Sequence, residues 1–298
     1  MQKISFYIFL FFIRLISLLP FKILYIISDF IYFLLFYIIG YRKKVVFENL
    51  KNSFPDKGNK EIIKIAKKFY RHLSDIFIET FKLTQISKKE ISRRVKFKNL
   101  EIIDKYYKQS KSIIIVFGHY GNWELTFHFP LFSNYKSLPV YKPLHNKSFD
   151  KFLYNIRSKF GAEPVSMNEI YKKIISYKKQ GKLILTAFVT DQSPLKSEIQ
   201  YWTKFLNQDT PVYLGVEKIA KKFDFPVIYL HMQKIKRGYY DIYFYELFEN
   251  PSKTKQYEIT NKHVKALEKE IIKDPQYWMW SHRRWKHKKD VTVHKLNK

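Results

Sequence analysis

A histidine and a carboxylate lie close together between Gly118 and Glu124 (sequence GHYGNWE), directly after the apolar run Ile113–Phe117. The chain has only 8 glycines in 298 residues, so glycines on both sides of His119 predict a tight backbone turn. A general base with an orienting carboxylate suits such a corner. We predict that His119 is the base, that Glu124 fixes its tautomer from a following helix, and that Asn122 is the N-cap of that helix.

A second polar pair, Asp191 and Gln192, follows another apolar run, Leu183–Val189. Ligands of open α/β sheets bind beyond the carboxyl ends of the strands, so His119 and Asp191 are expected at one crevice. The spacing of histidines around His119 does not favour a metal site. The sequence also has no G-x-S-x-G motif and no glycine-rich phosphate loop. A base without a protein nucleophile implies that the substrate brings the nucleophile, most simply a hydroxyl.

Arginine is rare in this chain, at nine of the 55 Lys and Arg positions. An arginine kept among lysines indicates planar, bidentate contacts. Arg157 could therefore clamp a phosphate or support a developing negative charge, with a surface ion pair as the alternative. The segment Pro275–Lys286 combines three of the five tryptophans with Arg283 and Arg284. This mixture suits a membrane interface or a phosphorylated ligand, with a packed terminal helix as the alternative.

The composition narrows the class of protein. There is no cysteine, which excludes disulfides, thiol catalysis and cysteine-ligated zinc. The formal charge of +29 suits nucleic acid, an anionic membrane face or an acidic protein partner, although a compositional bias of the genome explains part of the lysine excess.

Residues 1–55 are predicted to be an apolar helical membrane-anchoring segment. Ile4–Leu19 and Ile23–Ile39 are each slightly shorter than the roughly 20 residues that cross a bilayer. One tilted span, a shallow helical hairpin and helices lying in the interface are all compatible with this pattern, and a soluble helical subdomain is the alternative. The basic cluster at 42–44 favours a cytoplasmic position for the domain that follows.

Residues 56–298 are predicted to form an α/β domain with a mostly parallel central sheet flanked by helices, because apolar runs alternate with helical patterns. The predicted strands are Ser112–Phe117, Leu138–Tyr141, Leu183–Val189, Pro226–His231 and Tyr239–Leu247. The predicted helices are Lys60–Phe81, Trp123–Leu131, Phe149–Phe160, Asn168–Lys178, Val212–Lys222 and Ile259–Lys273. Ser193–Asp209 is predicted as a long loop, followed by Thr210 and Pro211 as the start of a helix.

Four motifs occur in the order found in a known family: GHYGNWE (118–124), VYKP (140–143), TDQ (190–192) and the segment Tyr277–Lys286. In these motifs the chain resembles the late, lauroyl/myristoyl-type bacterial lipid A biosynthesis acyltransferases, a branch of the lysophospholipid acyltransferase superfamily with an H-x4-D/E motif. The resemblance covers nearly the whole chain, including the apolar N-terminus.

The resemblance implies an inner-membrane enzyme, facing the cytoplasm, that moves an acyl chain from acyl carrier protein to a hydroxyl of a lipid A precursor. By position, His119 and Glu124 match the catalytic pair of the family, and Arg157 and Asp191 match two further catalytic residues. Lys142 departs from the usual Tyr-Arg-Pro pattern of the family. The residues expected to bind substrate are Asn122, Lys142, Gln192, Arg283 and Arg284.

No cofactor and no metal are expected, and acyl-CoA is a possible alternative donor. The expected partners are acyl carrier protein, anionic membrane lipid and the lipid A precursor or a related glycolipid. Acylation of a lysophospholipid or another membrane glycolipid is the alternative reaction. A basic nucleic-acid-binding protein is the alternative of a different class, and the apolar N-terminus and the lack of a nucleic-acid-binding motif argue against it.

Overall fold

A seven-stranded sheet lies at the centre of the computed structural model, which describes residues 2–289. The strands of the protein are β1 (Val95–Lys98), β2 (Ile113–Phe117), β3 (Lys136–Tyr141), β4 (Val165–Ser166), β5 (Ile184–Val189), β6 (Tyr201–Phe205), β7 (Gln208–Val212), β8 (Val227–Lys236) and β9 (Tyr239–Phe248). The central sheet has the order β1-β9-β8-β2-β5-β3-β4, and every neighbouring pair is parallel except β8 and β9. The predicted mostly parallel sheet is confirmed.

Helices cover both faces of this sheet. The α-helices are α1 (Gln2–Leu18), α2 (Phe21–Phe33), α3 (Lys43–Ser53), α4 (Asn59–Lys82), α5 (Lys88–Arg94), α6 (Leu100–Lys108), α7 (Lys147–Ser158), α8 (Ile170–Lys179), α9 (Gly215–Phe223) and α10 (Glu258–Lys273). α2 continues into a π-helical turn, Leu34–Ile38. The last nine residues of the predicted domain, 290–298, lie outside the described residues, and the predicted division at residue 55 stays a prediction.

β2 is buried on both faces, as its unbroken apolar run predicts. Ile114 and Val116 belong to a core shared with α9 and α10. Ile113, Ile115 and Phe117 belong to a second core, shared with α6 and the residues after β2. Burying a side chain of this size contributes about 1.5–3 kcal/mol, so the end of β2 is a firmly held place from which to present a functional residue.

The segment Trp123–Phe132 is a 3-10 helix rather than the predicted α-helix. Pro130 lies inside it, where its ring crowds the preceding turn and its nitrogen cannot donate a hydrogen bond. Asn122 occupies the N-cap position, as predicted, but its side chain makes no capping hydrogen bond to this helix.

The predicted loop Ser193–Asp209 instead contains most of a hairpin, in which β6 pairs antiparallel with β7. The two turn residues, Leu206 and Asn207, have φ of 49° and 64°, as the tight turns of hairpins require. Leucine is uncommon in such a turn, and its burial in the core offsets the strain. Thr210 and Pro211 lie in β7, so they do not begin a helix, and α9 begins only at Gly215.

The two N-terminal helices lie against α4 rather than apart from the domain. Phe21–Ile38 forms one helical stretch of 18 residues with mean hydropathy 1.8, which is long and apolar enough to cross a membrane by length and composition. One side of this stretch is buried, at Leu24, Ser28 and Phe36. Its other side is a row of exposed apolar side chains.

Candidate active site

The register of the sheet brings His119 and Asp191 together. β2 and β5 are parallel neighbours that pair Phe117 with Val189, and His119 and Asp191 each lie two residues beyond this pair. The His119 Nδ1 atom lies 2.6 Å from Asp191 Oδ1. The two residues that the sequence predicts at one crevice are therefore in direct contact at the carboxyl edge of the sheet.

Asp191 is a buried carboxylate that accepts hydrogen bonds from three donors. Besides the His119 ring, its Oδ2 accepts from the backbone N–H of His119 at 2.9 Å and from the indole Nε1 of Trp278 at 2.7 Å. Burial alone would raise the pKa of Asp191. The interaction with His119 and these hydrogen bonds hold the pKa well below its usual range. Asp191 is therefore an anion at neutral pH.

The tautomer of His119 follows from this contact. A carboxylate can only accept, so Nδ1 of His119 carries the proton and Nε2 of the neutral ring is an acceptor. The side-chain amide nitrogen of Gln192 lies 3.3 Å from Nε2, and Gln192 is exposed, so a substrate hydroxyl can take its place. The Trp123 ring packs edge-on against the imidazole, with 4.8 Å between ring centres. His119 thus offers a fixed basic nitrogen.

Glu124 pairs with Arg157, and no hydrogen bond joins it to His119 in the described structure, which corrects the predicted orienting contact. Arg157 Nε donates to Glu124 Oε2 at 3.0 Å, and Nη2 donates to Oε1. The side chains are only 16% and 8% exposed, so this is a buried bidentate pair and not the surface ion pair considered as the alternative. Glu124 belongs to the 3-10 helix, which directs its carboxylate towards α7 instead of the imidazole.

Glycine is required on both sides of His119. A Cβ atom at Gly118 would lie 2.5 Å from a side-chain carbon of Leu267. A Cβ atom at Gly121 would lie 2.7 Å from the sulfur of Met232, and Gly121 has φ of +63°. The tight turn predicted around His119 is confirmed.

Asn122 lies in the interior beneath the turn, with none of its surface exposed. Its side-chain nitrogen donates to Glu79 Oε2 at 2.7 Å, and its Oδ1 has no partner among the described residues. This burial does not fit the predicted contact with substrate, so we reassign Asn122 to the support of the turn.

Arg284 is also buried, at 1% exposed, whereas a residue that holds a substrate phosphate must be reachable. Its Nη2 donates to the carbonyl of Pro211 at 2.7 Å. Burial lowers the pKa of Arg284 to about 10. The predicted substrate contact of Arg284 is therefore replaced by a structural one. Arg283 is exposed and lines a cleft of about 730 Å³ with several lysines, among them Lys44, Lys204 and Lys286.

Two of the three tryptophans of Pro275–Lys286 are core residues, which corrects their interpretation as a membrane interface or ligand-binding segment. Trp278 and Trp280 are 1% and 0% exposed, and their rings pack edge to face at 4.7 Å. After a short 3-10 turn, Pro275–Tyr277, this part of the chain is a series of turns rather than a packed helix. Sequence reasoning missed the bond from Trp278 to Asp191, although a buried indole N–H normally needs an acceptor.

An apolar cavity of about 460 Å³ opens at the same edge of the sheet as His119, although His119 is not one of its lining residues. Gln192, which contacts His119 Nε2, is one of its lining residues. The apolar wall is formed by residues that include Val140, Ile170, Phe188, Val216 and Ile219. Three lysines, Lys142, Lys218 and Lys222, also line it, and Lys142 is exposed. The cavity can hold an apolar chain and carries positive charge around it.

The fold and this site define an α/β protein in which a carboxylate-held histidine, suited to general-base chemistry, lies at the same edge of the sheet as an apolar cavity. Residues 2–289 contain no group of three His, Asp or Glu side chains that could hold a metal ion. The chain belongs to the bacterial lipid A biosynthesis acyltransferase family, whose family model matches residues 1–287. This match confirms the resemblance seen in the four motifs. No curated protein matches the chain.

Proposed function

We propose that the protein transfers a fatty acyl chain from acyl carrier protein to a hydroxyl of a lipid A precursor, at the cytoplasmic face of the inner membrane. The observation that carries this proposal is the 2.6 Å contact between His119 Nδ1 and Asp191 Oδ1, which leaves Nε2 as a base beside the apolar cavity. Membership of the family supports acyl transfer in lipid A biosynthesis.

In the first step, His119 Nε2 takes the proton of the acceptor hydroxyl as its oxygen attacks the thioester carbonyl carbon. The imidazolium that forms is stabilised by the Asp191 carboxylate, which already accepts from Nδ1. A tetrahedral intermediate with a negatively charged oxygen results.

In the second step, the intermediate collapses, the carbon–sulfur bond breaks, and His119 returns its proton to the departing sulfur. The products are the new oxygen ester and the free thiol of the carrier, so no external acid or oxidant is consumed. A stabilising donor for the oxyanion is worth about 3–4 kcal/mol. Arg157 is our candidate for this donor, since its guanidinium stands 6.0 Å from the ring centre of Tyr141, which lines the cavity.

The acyl chain is proposed to enter the 460 Å³ cavity, with its thioester near His119. Acyl carrier proteins are acidic, and the lysines that line this cavity, together with the net charge of +29, supply the complementary charge. The exposed Arg283 and its cleft are proposed to attract the acceptor phosphates.

The N-terminal helices are proposed to lie in the membrane interface rather than to span the bilayer. Asp29 lies at the middle of Phe21–Ile38, and its two oxygens accept from Arg237 at 2.9 and 3.0 Å. A spanning helix would place this ion pair at the centre of the bilayer, where charges are costly. The side chains offered to lipid are Tyr7, Ile8, Phe11, Phe12, Leu15, Leu18, Ile23, Ile26, Phe30, Phe33, Tyr37, Ile38 and Ile39.

Flotation with vesicles that contain anionic lipid tests the membrane part of the proposal. The double variant Ile26→Glu/Phe30→Glu should bind about tenfold more weakly than the native protein, since two apolar contacts are replaced by charges. Ile272→Glu, at an exposed position of α10, is the matched control. Equal binding of the double variant and the control would contradict docking through α2, and retention of the native protein after alkaline carbonate extraction would indicate a spanning segment.

The activity is tested with purified protein, acyl carrier protein thioesters and a purified lipid A precursor. His119→Ala should abolish transfer while leaving folding and vesicle binding intact. Full activity of this variant would refute the proposal. Competing acceptors in the same assay, a lysophospholipid and a glycolipid, decide the acceptor class, and acyl-CoA in place of the carrier thioester decides the donor.

A further inference from the structure

Three ionisable side chains form a buried stripe along α4, which we call the α4 stripe: His72, Asp75 and Glu79. Their spacing of three and four residues puts them on one face of the helix. Each is no more than 3% exposed, although buried charged groups are costly unless they are partnered. The partners of two of these side chains lead to the turn that carries His119.

Glu79 lies at the centre of the first connection. Its carboxylate accepts from Asn122 Nδ2 at 2.7 Å, from the Tyr240 hydroxyl at 2.9 Å and from the Tyr25 hydroxyl at 3.0 Å. Burial raises the pKa of Glu79, so its protonation state depends on these neighbours. Asn122 lies only three residues after His119, so Glu79 fixes the far side of the turn.

His72 makes the second connection. The Lys234 ammonium lies 3.3 Å from His72 Nδ1 and can only donate, so Nδ1 is the acceptor and Nε2 carries the proton. Nε2 then donates to the carbonyl of Gly121 at 3.2 Å. Burial and the charge of Lys234 hold the pKa of His72 well below its usual range, which is consistent with this neutral ring.

We propose that the α4 stripe is a positioning element for His119: Glu79, completed by Tyr25, and His72 hold Asn122 and Gly121 so that the imidazole meets Asp191 and the substrate in the reactive geometry. This inference rests on the proposed function. It adds that helix α2, which carries Tyr25 on its inner side and exposed apolar residues on its outer side, supports the catalytic turn as well as binding lipid.

The test compares kcat and KM for Glu79→Gln and Tyr25→Phe in the full chain, in vesicles of one fixed composition. Glu79→Gln keeps the size of the side chain but replaces an acceptor oxygen with an amide N–H, which cannot accept the hydrogen bonds donated by Asn122, Tyr240 and Tyr25. Its kcat should fall by about tenfold to a hundredfold with KM nearly unchanged, as a small displacement of a catalytic group predicts. Tyr25→Phe removes one of the three hydrogen bonds, so its kcat should fall by about three- to tenfold.

Tyr70→Phe is the matched control, since it removes a tyrosine hydroxyl of α4 that donates to the Tyr41 carbonyl at 2.5 Å, away from the turn. Tyr70→Phe should lower the melting temperature as much as Tyr25→Phe does but leave kcat near the native value. The inference is overturned if Glu79→Gln and Tyr25→Phe keep native kcat, or if kcat follows melting temperature alike in all three variants. Activity of His119→Ala would instead overturn the proposed function.

Discussion

His119 Nδ1 donates to Asp191 Oδ1 across two adjacent parallel strands, although 72 positions separate these residues in the sequence. The same carboxylate also accepts from the backbone N–H of His119. One side chain therefore fixes both the ring and the backbone of the proposed base. The first prediction follows directly from this bond.

Asp191→Asn should lower kcat by about 10²- to 10⁴-fold, the usual contribution of an oriented general base. The asparagine amide has a donor N–H where the carboxylate has an acceptor oxygen, so this N–H would face at least one of the donors that now bond to Asp191. The His119 tautomer with the proton on Nδ1 would then no longer be favoured. Acyl transfer by the purified variant measures this, with circular dichroism as the check on folding. Activity within threefold of the native protein would show that His119 does not depend on Asp191.

Glu124→Gln should lower the free energy of unfolding by about 3–5 kcal/mol, since it leaves the charge of Arg157 buried without a counter-ion. The double variant Glu124→Gln/Arg157→Met should recover a large part of this loss, because a buried pair is replaced by neutral groups. Urea unfolding of the three proteins measures both effects. A double variant that is less stable than the single one would contradict the account of this pair as a mutually dependent unit.

Gly215→Leu should shift the preferred donor to a shorter acyl chain by about two carbons or more. Gly215 lines the apolar cavity, and a Cβ atom there would meet no atom within 4 Å, so a larger side chain can be added at the cavity wall without a clash and should narrow the space for the acyl chain. Competition between acyl carrier protein thioesters of graded length measures the shift. Gly58→Leu, at an equally open position outside the cavity, should keep the native preference. An unchanged preference in Gly215→Leu would mean that the acyl chain binds elsewhere.

Stability should fall as the pH drops from about 6.5 to about 4. Burial lowers the pKa of His128 from 6.5 to about 4, so between these values the unfolded chain binds more protons than the folded one. The contribution of His128 is complete above pH 6.5 and is lost by pH 4, a change of about 3 kcal/mol. Urea unfolding at several pH values measures the slope, which His128→Phe should reduce but not remove, because burial also lowers the pKa of His263 and of His282 to about 4. His145→Phe, at an exposed position, should leave the slope unchanged, and an equal slope in all three proteins would contradict this role of His128.

The sequence predicts the sheet and the place of the site because these depend on local patterns. The apolar, β-branched run Ile113–Phe117 is typical of an interior strand, and the residues that follow such strands meet at one edge. The carboxylate that hydrogen-bonds to His119 could not be predicted in the same way. Glu124 is near in sequence, but the pairing of β2 with β5 brings Asp191 nearer in space. Spacing along a chain determines neighbours within an element, whereas contacts between elements depend on tertiary packing.

Two other features could not be predicted from the sequence. The hairpin of β6 and β7 turns at Leu206 and Asn207. Asparagine is common in tight turns, but leucine is not, so this pair does not predict a hairpin. The α4 stripe interrupts an otherwise apolar helical face with charged residues, and only the positions of their partners give these residues a purpose.

The space around three glycines determines where the chain can accept a larger side chain. Gly118 and Gly121 are enclosed by Leu267 and Met232, so even a methyl group at either position would force its surroundings to move. Gly215 faces open space in the wall of the cavity. Substitution is therefore disfavoured at the turn that carries the proposed base and tolerated in the wall of the cavity proposed to hold the acyl chain, so that under this proposal chain-length preference can change while the catalytic turn is kept.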